Sequence, residues 1–290
     1  MRIDAVNLGN LKGKRLACIR LDLEQDFGDL LDRPKYDGLN CIDNLIEFIK
    51  AKRIPITCFV QGSIFEQYPD KIGKLALQDI EFGLHSYSHP KLKDTDLEFE
   101  ITHGRKAFYN YFHQQPLGYS APLGFTNEST FKLLARYNFK YDSSVTPSFR
   151  PGVFCNINKP LQPYLVNGNI LEIPPGVLSN LIRVPLAVSY ARLIGKPYYY
   201  LLKNSQLSDF VLLNFHLHDI FDLDSSKYLS FKELSLVYQI VFKRIYQRSK
   251  ENGLLVLNQF VNILRQRGYS FIKMIDLYKA IPDIEEIGSK

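Results

Sequence analysis

The sequence predicts an α/β fold, a distorted (β/α) barrel whose strands are mostly parallel. Short apolar runs with strand character alternate with longer segments in which apolar residues recur at helical spacing. Repeated βα units favour a parallel sheet, and a chain of 290 residues favours a barrel over an open sheet. Ionisable residues also follow the ends of several predicted strands, where such barrels carry their chemistry. We therefore expect a single catalytic domain over residues 1–290.

The first half of the chain shows the clearest alternation of strands and helices. The predicted elements are, in order, a strand from Leu16, a helix over 40–52, a strand over 56–60, a helix over 63–77 with a break or first turn at Pro69, a strand over 80–84, a helix near 95–112, a strand near 117–121, a helix over about 126–137 and a short strand over 139–143. Thr126 or Asn127 is expected to cap the last of these helices, with Glu128 in its first turn.

The second half of the chain is less regular. Residues 147–203 are rich in proline and tyrosine, and we expect irregular strands and loops that cap the barrel mouth. Residues 178–202 mix basic and apolar side chains; core or lid packing is favoured over weak peripheral contact with a membrane, because the basic residues share no clean face. The remaining predicted elements are a strand over 209–215, helices over about 230–251 and 254–267, and a last strand over 269–273. The predicted domain has a motif core over 16–219 and a C-terminal part over 230–280.

The composition is that of an ordinary folded protein, with 46% apolar and 23% charged residues. The formal charge of +6 is spread along the chain without a basic tail or stripe, which argues against nucleic acid as a partner. We find no signal peptide and no apolar run long enough to cross a membrane, so we expect a cytoplasmic protein without a transmembrane segment. The four cysteines show no CxxC spacing and are expected to be reduced.

Two histidines four residues apart suggest a metal site. His85 and His89 follow the predicted strand over 80–84, and a tight turn closed by Pro90 can aim both rings at one point. A pair with this spacing is by itself more often two surface or capping histidines than two metal ligands. A second group of ionisable residues, at the end of the first strand, makes a metal site the better interpretation.

Three carboxylates stand where that first strand ends, which is rare for packing reasons alone. They are Asp22, Glu24 and Asp26. Alternate strand residues face the same side, which favours Glu24 beside Asp22 as the third metal ligand. Asp26 becomes the ligand only if the strand has already turned into a loop, and it is equally well explained as a turn or capping residue.

The order of these motifs resembles that of the polysaccharide deacetylases, the carbohydrate esterase group with the NodB homology domain. The resemblance lies in ITCFVQG at 56–62, FGLHSYSHP at 82–90, YSAPLG at 119–124, FKYDSS at 139–144 and LEIP at 171–174. It covers about residues 16–219 and implies a distorted (β/α) barrel of the NodB type with one divalent metal ion, usually zinc. Two imidazoles and a carboxylate also suit cobalt, nickel, iron or manganese.

The resemblance assigns roles to the matching residues. It implies that Asp22 is the general base that activates water, that His85 and His89 bind the metal, and that His218 is the general acid for the leaving amine. Neutral imidazoles and one carboxylate leave coordination positions open for water and substrate. His216, two residues before His218, should share its strand face and is expected to be its partner or a structural histidine.

Three further residues are expected to contact the substrate. Ser120 and Pro122 lie in the matching loop, and Tyr87 is placed to stack on a sugar ring. The family has an arginine where this chain has Ser120, and that arginine would orient and charge-pair the catalytic aspartate. Without it, activity would be reduced, redirected or rescued by another cation such as Arg105 or Arg150.

Three functions follow from these observations. The first is a metal-dependent hydrolase that removes an N-acyl group, above all acetyl, from an amino sugar in a glycan or in its nucleotide-linked or lipid-linked precursor. The second is a related C–N hydrolase that acts on N-formyl or cyclic amide substrates. The third is a degenerate relative that binds glycans without chemistry. The presence of both metal histidines, the base candidate and the late histidine favours the first.

Overall fold

The computed structural model describes residues 1–30, 33–90, 96–150, 154–223, 236–247, 252–282 and 284. The strands are β1 (Ile3–Ala5), β2 (Leu16–Leu23), β3 (Ile56–Val60), β4 (Ile80–Leu84), β5 (Gly118–Tyr119), β6 (Tyr141–Asp142), β7 (Phe149–Arg150), β8 (Phe154–Cys155), β9 (Tyr164–Val166), β10 (Ile170–Glu172), β11 (Phe210–His216) and β12 (Ser270–Phe271). A ten-stranded sheet has the order β1-β9-β10-β6-β5-β4-β3-β2-β11, with β12 on β2, and β7 pairs with β8. Every ladder from β10 to β11 is parallel.

Helices follow most of the strands. They are α1 (Ile42–Lys52), α2 (Gly62–Gln67), α3 (Pro69–Ala76), α4 (Leu97–Phe112), α5 (Glu128–Arg136), α6 (Val188–Ile194), α7 (Lys196–Asn204), α8 (Leu217–Ile220), α9 (Leu236–Phe242), α10 (Gly253–Gln266) and α11 (Met274–Ala280). This mixed α/β arrangement with a parallel sheet confirms the predicted fold class. The extent of a single domain over 1–290 stays a prediction.

Strand β2 is buried along its whole length, as expected for a strand inside a parallel sheet. Its alternate residues separate two environments. Ala17, Ile19, Leu21 and Leu23 belong to the large apolar cluster that includes residues of α1, α2 and α10. Leu16 and Cys18 belong instead to a second cluster, with Phe59 of β3 and Tyr141 of β6. By the same alternation, the side chains at positions 20 and 22 lie on the face of this second cluster.

The chain that follows β10 contacts β11, the strand at the other end of the parallel part of the sheet. The amide N of Gly176 donates to the carbonyl of Leu212 in β11 over 2.8 Å, and Ala187 forms a parallel bridge with Asn214. A Cβ at position 176 would lie 2.8 Å from that same carbonyl oxygen, so only glycine allows this approach. Across the described residues these contacts link the two ends, without a continuous ladder that closes the barrel.

Most predicted elements of the first half are confirmed to within a few residues. The break at Pro69 divides the predicted helix into α2 and α3, because proline stands in the first turn of α3. Asn127 is the cap of α5, and its side chain accepts a hydrogen bond from the backbone of Thr130. Thr95, the predicted start of α4, lies outside the described residues, and the described helix begins after the cap Asp96.

The prediction of irregular strands and loops over 147–203 is wrong in part. Helices α6 and α7 lie within this segment, and Pro197 stands in the first turn of α7. The buried α7 residues Tyr198, Tyr199 and Leu202 belong to the large apolar cluster. A helix is predicted over 230–251. The structure describes residues 236–247 of it, which form α9 and a π turn over 243–247, and the remaining residues lie outside the described part. In the described ranges, no helix has the length and hydropathy that a membrane span requires.

Candidate metal centre and catalytic cluster

The register of the parallel strands brings three of the predicted site residues to one edge of the sheet. His216, the last residue of β11, pairs with Asp22 of β2. On the other side of β2, Leu23 pairs with Val60, which in turn pairs with Leu84. His85 follows Leu84 directly, and its amide donates to the Val60 carbonyl over 2.9 Å. The carboxyl ends of β2, β4 and β11 therefore surround one point, as in other barrels.

Glu24, His85 and His89 form the candidate metal centre. Oε2 of Glu24 lies 2.9 Å from Nε2 of His85 and 2.8 Å from Nε2 of His89, and all three side chains are buried. Burial raises the pKa of Glu24, but the facing histidines His89 and His216 hold it well below its ordinary value. Two imidazole nitrogens and one ionised carboxylate that converge in this way match the donor set of a catalytic metal site, with further positions left open. The residues thus fit a divalent ion.

The turn that carries the two histidines is clamped from both sides. Glu100 of α4 is buried, and its Oε2 accepts hydrogen bonds from the amides of Tyr87 and Ser88, each over 2.8 Å. On the other side, the first amides of α2 donate to the carbonyls of Ser86 and Tyr87. Ser86 and His89 both have a φ of 56°, in the left-handed region that non-glycine residues seldom adopt. The two clamps hold this strained turn and thereby the ligand geometry.

Asp22 lies beside the metal centre in a buried ion pair with Arg20. Nε of Arg20 donates to Oδ1 over 2.7 Å, and a terminal guanidinium nitrogen donates to Oδ2 over 2.5 Å. Burial alone would raise the pKa of Asp22, but the charge of Arg20 outweighs it and keeps that pKa below its ordinary value. Asp22 is therefore an ionised carboxylate at neutral pH.

His216 faces both carboxylates of the site. Its Nδ1 lies 2.8 Å from Oδ2 of Asp219, while Nε2 lies 3.8 Å from Oδ2 of Asp22 and 3.8 Å from Oε1 of Glu24. Burial lowers the pKa of this imidazole, but Glu24 and Asp219 raise it to about 9. The hydroxyl of Tyr246 donates to the other oxygen of Asp219 over 2.9 Å, which fixes the carboxylate that holds the ring.

The prediction that His218 is the reacting histidine is not supported by the geometry. The side chain of His218 is buried, and its Nδ1 accepts a hydrogen bond from the amide of Phe27 over 3.1 Å. Burial lowers its pKa to about 4, so this imidazole is neutral. Its ring stacks on that of His216 at 4.8 Å and also contacts Phe27 and Tyr246. The side chain of His216 is 25% exposed and reaches the carboxylates, so it takes the place that the sequence assigned to His218.

Asp26, the alternative metal ligand, is directed elsewhere. Both of its carboxylate oxygens lie 3.2 Å from the amide of Gly38, from which they accept a hydrogen bond. Burial raises the pKa of Asp26 to about 6. Strand β2 ends at Leu23, and Phe27 has a φ of 61°, so the chain turns sharply in this segment. Asp26 stabilises that turn, and Glu24 is the carboxylate that reaches the histidines.

The predicted substrate contacts and substitute cations are only partly near the site. Ser120 is fully buried at the end of β5, and its Oγ finds no hydrogen-bond partner in the described parts of the chain. Pro122 begins a single 3₁₀ turn, and the hydroxyl of Tyr87 donates to Glu66 over 2.8 Å. Their contacts with substrate stay predictions. Arg105 lies over the ring of Tyr137, and Arg150 belongs to the β7–β8 hairpin, so the cation at Asp22 is neither of them.

Sequence reasoning missed three residues that support the site. A signal existed for Arg20, because an arginine within an apolar strand needs a carboxylate partner, and Asp22 is two residues further on the same face. Asp219 directly follows the late histidines, and a carboxylate that orients an imidazole is a common arrangement. Glu100 gives no such signal, since its role depends on how α4 packs against the histidine turn.

Part of the chain matches a known protein family in sequence. Residues 35–141 match the sequence model of the family described as polysaccharide deacetylase. A peptidoglycan deacetylase of Helicobacter pylori is 26% identical over 134 residues, which are 42% of this chain and 42% of that protein. The chain thus spans less than half the length of this curated relative.

Solved structures share the fold at low sequence identity. A putative polysaccharide deacetylase from Mycobacterium smegmatis superposes with a TM-score of 0.65 at 17% identity, over 97% of this chain and 95% of that one. A CE4 family pseudoenzyme from Bacillus anthracis superposes with a TM-score of 0.52 at 10% identity, over 92% and 66% of the two chains. Both catalytic and non-catalytic proteins therefore use this fold.

We predict that Glu100→Ala loosens the histidine turn. Two backbone amides in partly buried hydrogen bonds lose their acceptor, the buried Glu100 carboxylate, so the metal-free protein should lose about 1–3 kcal/mol of unfolding free energy. Zinc affinity should fall by about 10-fold to 100-fold, because a group that orients the ligands is gone. Urea denaturation and chelator competition measure the two effects. Glu98→Ala is the matched control, because Glu98 lies beside Glu100 in the first turn of α4 but is exposed; it should cost less than about 1 kcal/mol of unfolding free energy. Equal losses in both variants would contradict the clamp.

We also predict that His216 titrates near pH 9 in protein stripped of metal, because Glu24 and Asp219 stabilise its cation. Asp219→Asn should move the midpoint towards the ordinary value of 6.5. Since the folded pKa is raised, the stabilisation is complete below pH 6.5 and disappears as the pH rises through about 9. Asp219→Asn should therefore destabilise more at pH 6 than at pH 10. Ring NMR titration, with exposed His113 as internal reference, measures the midpoint, and an unchanged midpoint in the variant would refute the pairing.

Proposed function

We propose that this chain is a member of the polysaccharide deacetylase family and a metal-dependent hydrolase that removes an N-acyl group, above all acetyl, from an amino sugar. Members of this family hydrolyse amide bonds. The observation that carries the proposal is the convergence of Glu24, His85 and His89 beside an ionised aspartate, Asp22, and a cationic histidine, His216.

The metal centre would be held by Glu24, His85 and His89. A divalent ion bound there supplies a Lewis acid, which polarises an acyl carbonyl and makes water more acidic. Zinc is the proposed ion. Asp22 and His216 contribute the remaining steps, and Nε2 of His216 lies 3.8 Å from Oδ2 of Asp22.

Asp22 accepts the proton of the attacking water. Its carboxylate is buried and ionised, with Oδ2 directed towards His216, and its pKa is held low by Arg20. A general base has to be held within hydrogen-bond reach of the water whose proton it accepts. The two hydrogen bonds from Arg20 give Asp22 a fixed position.

His216 gives its proton to the leaving amine, a role that the sequence assigned to His218. Nδ1 faces the Asp219 carboxylate, so the Nε2 proton is the one directed towards the carboxylates of the site. In the metal-free protein the pKa of Asp22 lies below its ordinary value and that of His216 is raised to about 9, so the charges around the two groups favour the forms that a base and an acid need. The neutral ring of His218 packs against His216 and helps to orient it.

The proposed substrate is an amino sugar in a glycan or in its nucleotide-linked or lipid-linked precursor, handled in the cytoplasm. The four cysteines are free thiols, which is compatible with a reducing compartment. An N-formyl or cyclic amide substrate remains the alternative within the same chemistry. The non-catalytic alternative has no support in the site, since the base, the three ligands and a protonated histidine are present together.

We predict that His216→Gln lowers kcat by about 10²-fold to 10⁴-fold through loss of the acid. His218→Gln should lower it by less than about tenfold, because that ring has only a packing role. The effect on kcat is measured as acetate release from N-acetylglucosamine oligomers and from UDP-N-acetylglucosamine. Hydrolysis of N-formyl and cyclic amide substrates is measured in parallel to identify the substrate class. His113→Gln, at an exposed helix end, is the control. Loss of activity in His218→Gln with full activity in His216→Gln would reverse the assignment, and turnover of cyclic amides alone would replace the substrate class.

A further inference from the structure

We propose that Arg20 is the positioning residue for the catalytic aspartate and does, from within the strand, what the family resemblance expects of a loop arginine at position 120. The inference rests on the proposed function, because it concerns how Asp22 acts as the base. It answers the question that Ser120 raises, namely which cation serves the aspartate in this chain.

The contact between Arg20 and Asp22 has the geometry of a fork. Two guanidinium nitrogens donate to the two different oxygens of Asp22, over 2.7 and 2.5 Å. Arg20 is only 5% exposed and Asp22 only 2%, so water does not compete for these hydrogen bonds. A lysine can supply the charge but not the paired, planar geometry. The carboxylate plane of Asp22 is thereby fixed.

Arg20 is itself held from behind by the ends of β6 and β10. Its remaining guanidinium nitrogen donates to the carbonyl of Ser143, and its guanidinium lies 5.6 Å from the ring centre of Phe59. The Ser143 hydroxyl donates to the carbonyl of Ile173 over 2.8 Å, which joins the chain after β6 to the chain after β10. The guanidinium thus has few alternative positions, and it fixes Asp22 to the sheet.

Two buried carboxyl groups stand near this network, Asp142 of β6 and Glu172 of β10, which pair in the ladder. Asp142 accepts from the Ser144 hydroxyl over 2.7 Å, and Glu172 accepts from the Val145 amide over 2.8 Å. Burial and the neighbouring Asp142 raise the pKa of Glu172 well above its ordinary value, so the pair holds a proton. The negative charge that the pair retains stabilises the Arg20 cation, in addition to the larger contribution from Asp22.

The fork has a second consequence for the site. Both oxygens of Asp22 are taken by Arg20, whereas Glu24 directs its oxygens to the histidines. Arg20 therefore keeps Asp22 out of the metal ligand set and available as the base. Ser120, fully buried without a partner for its hydroxyl in the described ranges, contributes no charge to this arrangement.

The test compares Arg20→Lys and Arg20→Met with Arg15→Met. Arg15 precedes the same strand, but its side chain is exposed and contacts the carbonyl of Arg267, so Arg15→Met is the control. Both Arg20 variants should lose about 10²-fold in kcat with KM within about threefold, since the base is displaced while substrate binding is kept. A kcat for Arg20→Met within threefold of that of Arg15→Met would overturn the inference.

Two further readouts separate positioning from a structural role. Chelator competition should show that Arg20→Met binds zinc at least as tightly as the wild type, because Asp22 is freed and a nearby cation is removed. A tenfold weaker affinity would mean that Arg20 only supports the fold of the site, and would overturn the inference. Arg20→Met/Ser120→Arg should recover at least about tenfold of the lost kcat; no recovery in a folded double variant would show that the two positions are not equivalent. If the wild type hydrolyses none of the substrates, the proposed function fails, and the zinc affinities still decide the role of Arg20.

Discussion

The parallel register of β2 with its two neighbours is the constraint on which the site depends. It sets His216 beside Asp22 on one side, and through β3 and β4 it sets the histidine turn on the other. Backbone ladders between buried strands allow little slippage, because a shift by one residue would exchange the helix-facing and inward-facing side chains of β2. The positions of the proposed base, Asp22, and the proposed acid, His216, are therefore determined by the same apolar packing that stabilises the sheet.

The carboxyl edge of β2 and β11 holds several buried charged side chains. Arg20, Asp22, Glu24 and Asp219 are all buried; Arg20 pairs with Asp22, and Glu24 and Asp219 both face the His216 imidazole. Burial of ion pairs contributes little net stability, because desolvation offsets most of the attraction. The proposed function gives these pairs a reason: without a metal ion they lower the pKa of Asp22 and raise that of His216, and Glu24 lies between the two histidines of the candidate metal centre. The apolar clusters on both faces of β2 supply the stability that the polar edge does not.

Much of this arrangement could be predicted from local patterns, and the failures have physical causes. Strands β3 and β4 have the predicted bounds, since short apolar runs between turn signals define them well. The sequence treats positions 216 and 218 as one strand face, but β11 ends at His216 and α8 begins at Leu217, so His218 leaves that face. Likewise, the alternation that correctly favoured Glu24 says nothing about the turn that directs Asp26 to Gly38. Helices α6 and α7 were missed because tyrosines and a proline obscure their helical period.

The central claim is tested most directly by the metal content of the wild type, Glu24→Gln and Asp26→Asn. Each protein is exchanged into metal-free buffer, given zinc once, freed of unbound zinc and measured by elemental analysis. Glu24 directs its carboxylate to both histidines, whereas Asp26 binds a backbone amide, although both acids follow the same strand. The account predicts about one ion per chain in the wild type and in Asp26→Asn, and a large loss in Glu24→Gln. No ion in the wild type, or loss in Asp26→Asn with retention in Glu24→Gln, would contradict it.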